Sequence, residues 1–182
     1  MTQKIENRKA LIVIDMQIMP FIWKDYHGKA IYREKELLEQ IKMLIQNARA
    51  ADMPVFYILY TEKGESHRAE GKPLWQVHPD IVPGKKDVLV VKYFADSFFK
   101  TDLEPRLRES EINKLVLCGV QTEYCVDTTC RSALSRGFEI ELVEDGHSTY
   151  DSEFLRADQI IQHHNQILKQ FADVKPANQI QF

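Results

Sequence analysis

Four short, almost uninterrupted apolar runs are the feature that most limits how this chain can fold. They are rich in β-branched side chains and cover residues 10–14, 55–60, 88–91 and 115–118. Runs without the polar alternation of a half-exposed strand are typical of parallel strands that are covered on both faces. Residues 138–143 have the character of a fifth strand.

Segments with helical periodicity lie between these runs. Apolar residues between Leu37 and Ala48 share one face of a helix, which should end before Pro54 because proline cannot donate to the helix ladder. A second helix begins close to Thr122, and a last long helix covers about residues 152–171. Strands that alternate with helices predict an α/β fold: a three-layer α/β/α sandwich with a mainly parallel, Rossmann-like sheet of five to six strands.

The composition predicts one globular domain and excludes several classes of partner. The 182 residues are 44% apolar and carry 24 Lys and Arg against 27 Asp and Glu, a formal charge of −3. A chain of this length buries a core without disulfides, and its charge is not that of a nucleic-acid or anionic-membrane binder. No repeat, low-complexity tract or linker divides it. We therefore expect a single domain over residues 1–182.

We also expect a cytoplasmic protein. No apolar stretch is long enough to span a bilayer, and residues 1–8 are polar, without the core of a signal peptide. The three cysteines are an odd number in no zinc-type spacing, which suits a reducing compartment. Small molecules and other proteins remain as partners.

Three reactive side chains stand at or just beyond the carboxyl ends of predicted strands. They are Asp15, Lys92 and Cys125, and such strand ends are where open parallel sheets bind ligands. A cysteine in the first turn of a helix, near a lysine, should have a lowered pKa. A carboxylate would exchange its proton with a leaving nitrogen, and backbone N–H groups at the helix start would stabilise an oxyanion. Cys118, in a strand, and Cys130, on an apolar helix face, are predicted to lie in the core.

Much of the chain resembles the cysteine hydrolases of the isochorismatase-like superfamily. The resemblance runs in order from about Lys9 to Asp173, and its most specific segment is Gly-Val-Gln-Thr-Glu-Tyr-Cys-Val at residues 119–126. Two further segments carry it, at residues 11–17 and 90–103.

The resemblance implies a fold and a set of site residues. It implies a parallel α/β/α sandwich and a catalytic triad of Asp15, Lys92 and Cys125. It also implies a cis peptide bond between Val120 and Gln121, with the backbone N–H groups of Gln121 and Cys125 forming an oxyanion hole. Members that cleave a vinyl ether lack the cysteine, whereas amide-cleaving members carry it, so Cys125 favours an amidase-type reaction.

The same comparison argues against a metal ion. Nicotinamidases of this family hold a metal through an Asp-x-His motif after the second strand. The corresponding residues 60–67 contain no such motif, and the only histidines in the long polar loop at residues 61–86 are His67 and His78. We therefore expect no metal and no other cofactor.

Several residues are predicted to line a substrate pocket or to support it. The loop at residues 61–86 and a second one at residues 21–27 are expected on the ligand side of the sheet. The pocket candidates are Gln17, Phe21, Trp23, Trp75 and Tyr124. Of the remaining histidines, His147 is expected to anchor a turn and His164 to lie in the core.

These observations predict a metal-independent cysteine hydrolase that cleaves a C–N bond of a small amide, ureide or carbamoyl compound through a thioester. The relatives imply a homo-oligomer, a dimer or larger. Two alternatives stay open: an isochorismatase-type ether hydrolase, and a silent binding or oligomerisation module of the same fold. A haloacid-dehalogenase-type phosphatase would need a second acid two residues after Asp15, where Gln17 stands.

Overall fold

A computed structural model describes residues 8–182, and its centre is one six-stranded sheet. The strands lie in the order β3-β2-β1-β4-β5-β6, and every neighbouring pair is parallel. Their bounds are β1 Lys9–Ile14, β2 Val55–Tyr60, β3 Val88–Lys92, β4 Lys114–Val120, β5 Glu139–Ser148 and β6 Asp173–Lys175. The predicted α/β fold with a parallel sheet is confirmed.

Within residues 8–182, five α-helices cover the two faces of this sheet. They are α1 Ile18–His27, α2 Glu34–Ala50, α3 Leu103–Glu109, α4 Asp127–Ser135 and α5 Ala157–Leu168. Side chains of α1 and α2 pack with one set of strand residues, which includes Leu11 and Val13. Side chains of α3, α4 and α5 pack with the opposite set, which includes Ile12 and Ile14. Because β1 buries both faces, its residues form a continuous apolar run. None of the helices within residues 8–182 is long and apolar enough to cross a membrane.

The strand order creates a switch point at the middle of the sheet. From β1 the chain proceeds to β2 on one side, and from β4 it proceeds to β5 on the other. In open α/β sheets the carboxyl ends of strands at such a point border a crevice that binds ligands. Asp15 follows β1, and the segment that carries Cys125 follows β4.

Two predicted segments differ from the structure. Residues 21–27, expected as a loop, belong to α1, which tolerates Pro20 in its first turn and ends at Gly28 with φ 68°. The last helix is shorter than the predicted 152–171 and begins only at Ala157. Ser152 instead closes a local turn by accepting from the backbone N–H of Leu155 at 2.9 Å, so Phe154 is 85% exposed rather than on the apolar face.

Other sequence-based expectations have clear outcomes. The helix between β1 and β2 ends at Ala50, before Pro54, as predicted. Cys118 and Cys130 are both fully buried, as predicted. Helix α3 and strand β6 were not predicted because each is very short. Residues 1–8 are predicted to be polar. All of them except Arg8 lie outside the described residues.

Candidate active site

Three strand ends bring Asp15, Lys92 and Cys125 to one place. Lys92 is the last residue of β3, and Asp15 is the first residue after β1. The Lys92 Nζ atom lies 2.9 Å from Asp15 Oδ2. Cys125 lies in a π-helical turn, Thr122–Val126, which follows β4 and leads directly into α4. Short π-helical segments are rare and occur often at functional sites.

The Asp15–Lys92 ion pair is buried and asymmetric. The Lys92 side chain is fully buried and also donates to the backbone carbonyl of Ala95 at 2.9 Å. Burial acts to lower the pKa of Lys92, but the charge of Asp15 opposes this and the net shift is upward, which keeps the ammonium charged. Asp15 Oδ1, by contrast, is buried without a hydrogen-bond partner among residues 8–182. One carboxylate oxygen therefore remains open as an acceptor.

The thiol of Cys125 differs from the sequence-based expectation. The pKa of Cys125 is raised to about 12, mainly by burial and also by the negative charge of Asp15, whereas Lys92 acts in the opposite direction and lowers it by less. The prediction of a lowered pKa is therefore wrong for the resting site. The reason is that the thiol is buried and lies near a carboxylate, and both effects disfavour the thiolate. The proton stays on the sulfur until a base receives it, and Asp15 is close enough to influence it.

The turn that carries Cys125 is closed around Gln121. The Gln121 carbonyl accepts from the N–H of Val126 at 3.1 Å and from that of Tyr124 at 3.2 Å. The peptide bond between Val120 and Gln121 is cis, as the family resemblance implied. Gln121 and Cys125, the two residues expected to form an oxyanion hole, both line the same pocket. Both residues therefore belong to the wall of one pocket.

A buried histidine supports this turn from below. His147 was expected to anchor a loop turn, but it lies inside β5 and is 3% exposed. Its Nδ1 atom lies 2.9 Å from Thr122 Oγ1, and its Nε2 atom lies 2.9 Å from Asn165 Oδ1. The Asn165 amide is oriented by donating to the Glu144 carbonyl at 3.0 Å. Burial lowers the pKa of His147 to about 4, so the ring is neutral, donates through Nε2 and accepts from Thr122.

The loop after β3 is attached to the helix that follows Cys125. Ser97 makes two hydrogen bonds with Thr129 of α4, from its backbone N–H at 3.1 Å and between the two hydroxyls at 2.8 Å. The Ser132 hydroxyl donates to Asp96 Oδ2 at 2.7 Å. These bonds hold the loop after β3, whose Ala95 carbonyl accepts from Lys92, in a fixed position relative to the Cys125 turn. Sequence reasoning missed them, because serine and threonine in a helix give no signal of such a partner.

A pocket of about 380 Å³ opens beside the three residues. Its lining residues are Asp15, Gln17, Met19, Pro20, Tyr60, Arg68, Leu74, Tyr93, Phe94, Ala95, Val120, Gln121, Tyr124 and Cys125. Two predicted pocket residues, Gln17 and Tyr124, are therefore present. The Gln17 amide also holds the wall together, because it donates to the Tyr60 carbonyl at 3.0 Å and accepts from the Tyr60 N–H at 2.9 Å.

The other three predicted pocket residues lie elsewhere. Phe21 is buried, with its ring centroid 4.7 Å from that of His78, and Trp23 stacks on His27 at 3.9 Å. The helical conformation of α1 directs both away from the pocket. Trp75 lines a separate apolar groove. Sequence reasoning missed Tyr60, which is the last residue of β2, and also Arg68, Tyr93 and Phe94, whose positions depend on loop conformations.

The histidines of the long loop are apart from this pocket. His67 is exposed, and His78 packs against Phe21. Across the described range 8–182, no group of three or more His, Cys, Asp or Glu side chains is arranged to hold a metal ion. The Cys118 thiol is fully buried in β4, and Cys130 lies on the buried face of α4, so neither lines the pocket.

Comparisons with known proteins agree with this architecture. The chain is 32% identical over 148 residues to the isochorismatase family protein YddQ of Bacillus subtilis (strain 168), covering 77% of each. It is 32% identical over 145 residues to streptothricin hydrolase of Streptomyces noursei, and this alignment covers 79% of this chain but only 55% of that protein. The crystal structure of an isochorismatase family protein superposes with a TM-score of 0.83 at 30% identity, covering 93% of this chain and 98% of the other.

The family assignment rests on nearly the whole chain. The sequence model of the isochorismatase domain matches residues 9–175. This range contains all six strands and the complete pocket. The chain belongs to the isochorismatase family.

Proposed function

We propose that this protein is a cysteine hydrolase that cleaves a C–N bond of a small amide, ureide or carbamoyl compound. The observation that carries the proposal is the Asp15 carboxylate, which is close enough to Cys125 to raise the pKa of its thiol. Its Oδ2 is bound by Lys92, while its Oδ1 is buried without a hydrogen-bond partner among residues 8–182. A protonated thiol near a carboxylate with an unsatisfied oxygen is a nucleophile paired with its general base.

The first half of the reaction forms a thioester. The Cys125 sulfur attacks the substrate carbonyl carbon while its proton passes to Asp15 Oδ1. The carbonyl oxygen takes up the negative charge and is stabilised by the backbone N–H groups of Gln121 and Cys125. The tetrahedral intermediate then breaks its C–N bond, and Asp15 returns the proton to the leaving nitrogen. Ammonia or an amine leaves, and the acyl group remains on Cys125.

The second half releases the acid. Asp15 takes a proton from a water molecule, whose oxygen attacks the thioester carbon. The C–S bond breaks, and the thiolate recovers the proton from Asp15. Lys92 stays charged throughout and holds the Asp15 carboxylate in position through its contact with Oδ2.

Two sequence features support the finer parts of this proposal. The cysteine at position 125 distinguishes the chain from the ether-cleaving pattern, and residues 60–67 lack the Asp-x-His motif, so the proposed reaction needs no metal ion. One relative of this chain is named streptothricin hydrolase, and this name supports a hydrolase function for a member of the family.

The proposal is tested by a substrate screen. Amides, ureides and carbamoyl compounds are offered to the protein, and ammonia or amine release is measured, with the Cys125→Ala variant as blank. We expect release from at least one class and its loss in Cys125→Ala. The matched control, Cys118→Ala, should keep turnover and lose only stability, because Cys118 is in the core. Turnover that persists in Cys125→Ala would contradict the mechanism.

A further inference from the structure

The pocket contains one cation that the proposed reaction does not use. Of the described residues that line it, only Asp15 and Arg68 carry a charge, and Asp15 is paired with Lys92 behind it. Arg68 is therefore the cationic side chain of the pocket lining, and Glu62, its ion-pair partner, is not part of that lining. A localised cation in a concave, partly apolar site is a means of selecting an anionic ligand.

Arg68 is held in place by the end of β2. Its backbone carbonyl accepts from the Thr61 hydroxyl and from the Glu62 N–H, both at 3.3 Å. The Thr61 N–H donates in turn to the Lys92 carbonyl at 2.9 Å. The loop that bears Arg68 is thus tied to the same strand end as the Asp15–Lys92 pair. The position of the guanidinium is coupled to the position of the reacting groups.

The Arg68 guanidinium is held in one orientation, but not all of its N–H donors are used. Its carbon atom lies 4.7 Å from the centre of the Tyr60 ring, and its Nη1 atom lies 3.2 Å from Glu62 Oε1. Within residues 8–182 this is the single ion pair of Arg68, and a guanidinium has five N–H donors in a planar fork. A second carboxylate can therefore bind to the remaining donors, in the bidentate geometry that arginine favours.

The charge of Arg68 acts on Tyr150, next to the neighbouring wall of the pocket. It acts to lower the pKa of Tyr150, against a larger upward shift caused by burial. The Tyr150 hydroxyl donates to the carbonyl of Pro20, which lines the pocket, and it also interacts with Gln121. Arg68 therefore lies close enough to this wall of the pocket to act on Tyr150.

We infer that the site takes an anionic substrate, a small amide, ureide or carbamoyl compound whose carboxylate binds Arg68 while its carbonyl carbon lies at Cys125. This inference rests on the proposed function for the reacting carbonyl. The volume of about 380 Å³ suits a small molecule, and the rings of Tyr60, Tyr93 and Tyr124 contribute apolar walls for the part between the two ends.

The test measures binding without turnover. In the Cys125→Ala protein, calorimetric titration compares three anions, succinamate, glutaramate and N-carbamoylglycine, each with its uncharged methyl ester. We expect at least one anion to bind at least about tenfold more tightly than its ester. Arg68→Gln should weaken the binding of that anion by about tenfold to a hundredfold, because charge-assisted hydrogen bonds are lost. It should weaken the binding of the ester by less than about twofold.

A matched control and the contrary results complete the design. Lys72→Gln removes an exposed cation from the same loop, outside the pocket lining, and should preserve the preference for the anion. If no anion binds more tightly than its ester, or if Arg68→Gln weakens both alike, the assignment of Arg68 is overturned. Since these measurements need no catalysis, a preference for anions without ammonia release by the Cys125-containing protein would reject the proposed function and leave the carboxylate site intact.

Discussion

The two oxygens of the Asp15 carboxylate have different neighbours, and the proposed chemistry depends on that difference. Oδ2 is bound to the buried Lys92 ammonium, and Oδ1 is buried without a partner in the described part of the chain. Lys92 holds the carboxylate in place through Oδ2, while in the proposed reaction Oδ1 accepts the proton of Cys125. At the resting pKa of about 12 that Cys125 has, the base and the nucleophile must act together.

The substitution Asp15→Asn separates the effect of the Asp15 charge on the Cys125 pKa from the role of Asp15 in proton transfer. Removing the negative charge should lower the pKa of Cys125, because Lys92 then remains as its charged neighbour. Amide turnover should nevertheless fall by at least about a hundredfold, because no group protonates the leaving nitrogen. The pH dependence of Cys125 alkylation and the rate of ammonia release measure the two effects. Asp25→Asn, at an exposed position of α1, should change neither, and near-normal turnover in Asp15→Asn would contradict the role of Asp15.

His147 predicts a pH dependence of stability. In the unfolded chain a histidine has a pKa of about 6.5, whereas in the folded protein the pKa is about 4. As the pH falls below about 6.5, the unfolded state therefore takes up a proton that the folded state does not. Between about pH 7.5 and pH 5 the free energy of unfolding should drop by about 2 kcal/mol on this account.

Urea unfolding of the native protein and His147→Gln at the two pH values measures this contribution. The variant should lose about 2 kcal/mol less than the native protein over the same interval. His163→Gln, at an exposed position of α5, should behave like the native protein. The same loss in His147→Gln as in the native protein would show that His147 is not responsible.

At the scale of elements, the close approach of β1 and β4 sets the geometry of the site. Gly119 of β4 pairs with Ile14 of β1, one residue before Asp15. It has φ 126°, and a Cβ atom added there would lie 2.1 Å from the Ile14 carbonyl oxygen. Only glycine fits this position without moving the strand. The spacing between Asp15 and the Cys125 turn therefore depends on Gly119.

Gly119→Ala should destabilise the protein by about 3 kcal/mol, since the overlap is with backbone that cannot rotate away. It should also reduce turnover in the variant that remains folded, because β1 and β4 separate at the site. Denaturant unfolding measures the first effect. Gly84→Ala is the matched control, because there the nearest atoms lie at 3.5 Å or beyond and stability should change little. Equal stability of the two variants would contradict this account of the strand pairing.

The sequence predicts the elements that are set by local pattern. Fully buried strands such as β1 have an unmistakable composition, and the six apolar positions of α2 have one helical period. The convergence of Asp15, Lys92 and Cys125 follows from the topology, because parallel strands end at one edge of a sheet. That part of the candidate site needs no knowledge of loop conformation.

The remainder depends on contacts that no local pattern encodes. Whether Phe21 faces the pocket or the core depends on α1 being a helix, which residues 21–27 do not indicate by themselves. Arg68 reaches the pocket only because Thr61 and Glu62 hold its carbonyl. The raised pKa of Cys125 results from burial, which the position of the cysteine at a helix start does not reveal.

At the scale of the whole molecule, several predictions stay open to measurement. The single domain and the cytoplasmic location are among them. Large hydrophobic side chains are exposed near the pocket mouth and elsewhere on the surface, including Phe94, Tyr124 and Phe154. Phe94 also packs against the exposed ring of Phe99, and exposed apolar rings in contact favour association with another subunit. We therefore keep the prediction of a homo-oligomer, a dimer or larger.

Sedimentation analysis tests this prediction. The chain has a mass of 21.3 kDa, so an oligomer should sediment with at least twice that mass at micromolar concentration. Phe154→Ser, which changes the most exposed aromatic residue, shows whether that surface contributes. A single species of monomer mass at all concentrations would be inconsistent with the expected assembly.

The central claim, that Cys125 is the nucleophile, can be tested without knowing the substrate. The native protein is treated with iodoacetamide near neutral pH, and the labelling rate of each cysteine is followed by peptide mass spectrometry. We expect Cys125 to react far faster than Cys118 or Cys130, because it lines an open pocket beside a proton acceptor while the other two are fully buried. Equally slow labelling of all three cysteines would contradict the account and favour a silent binding module.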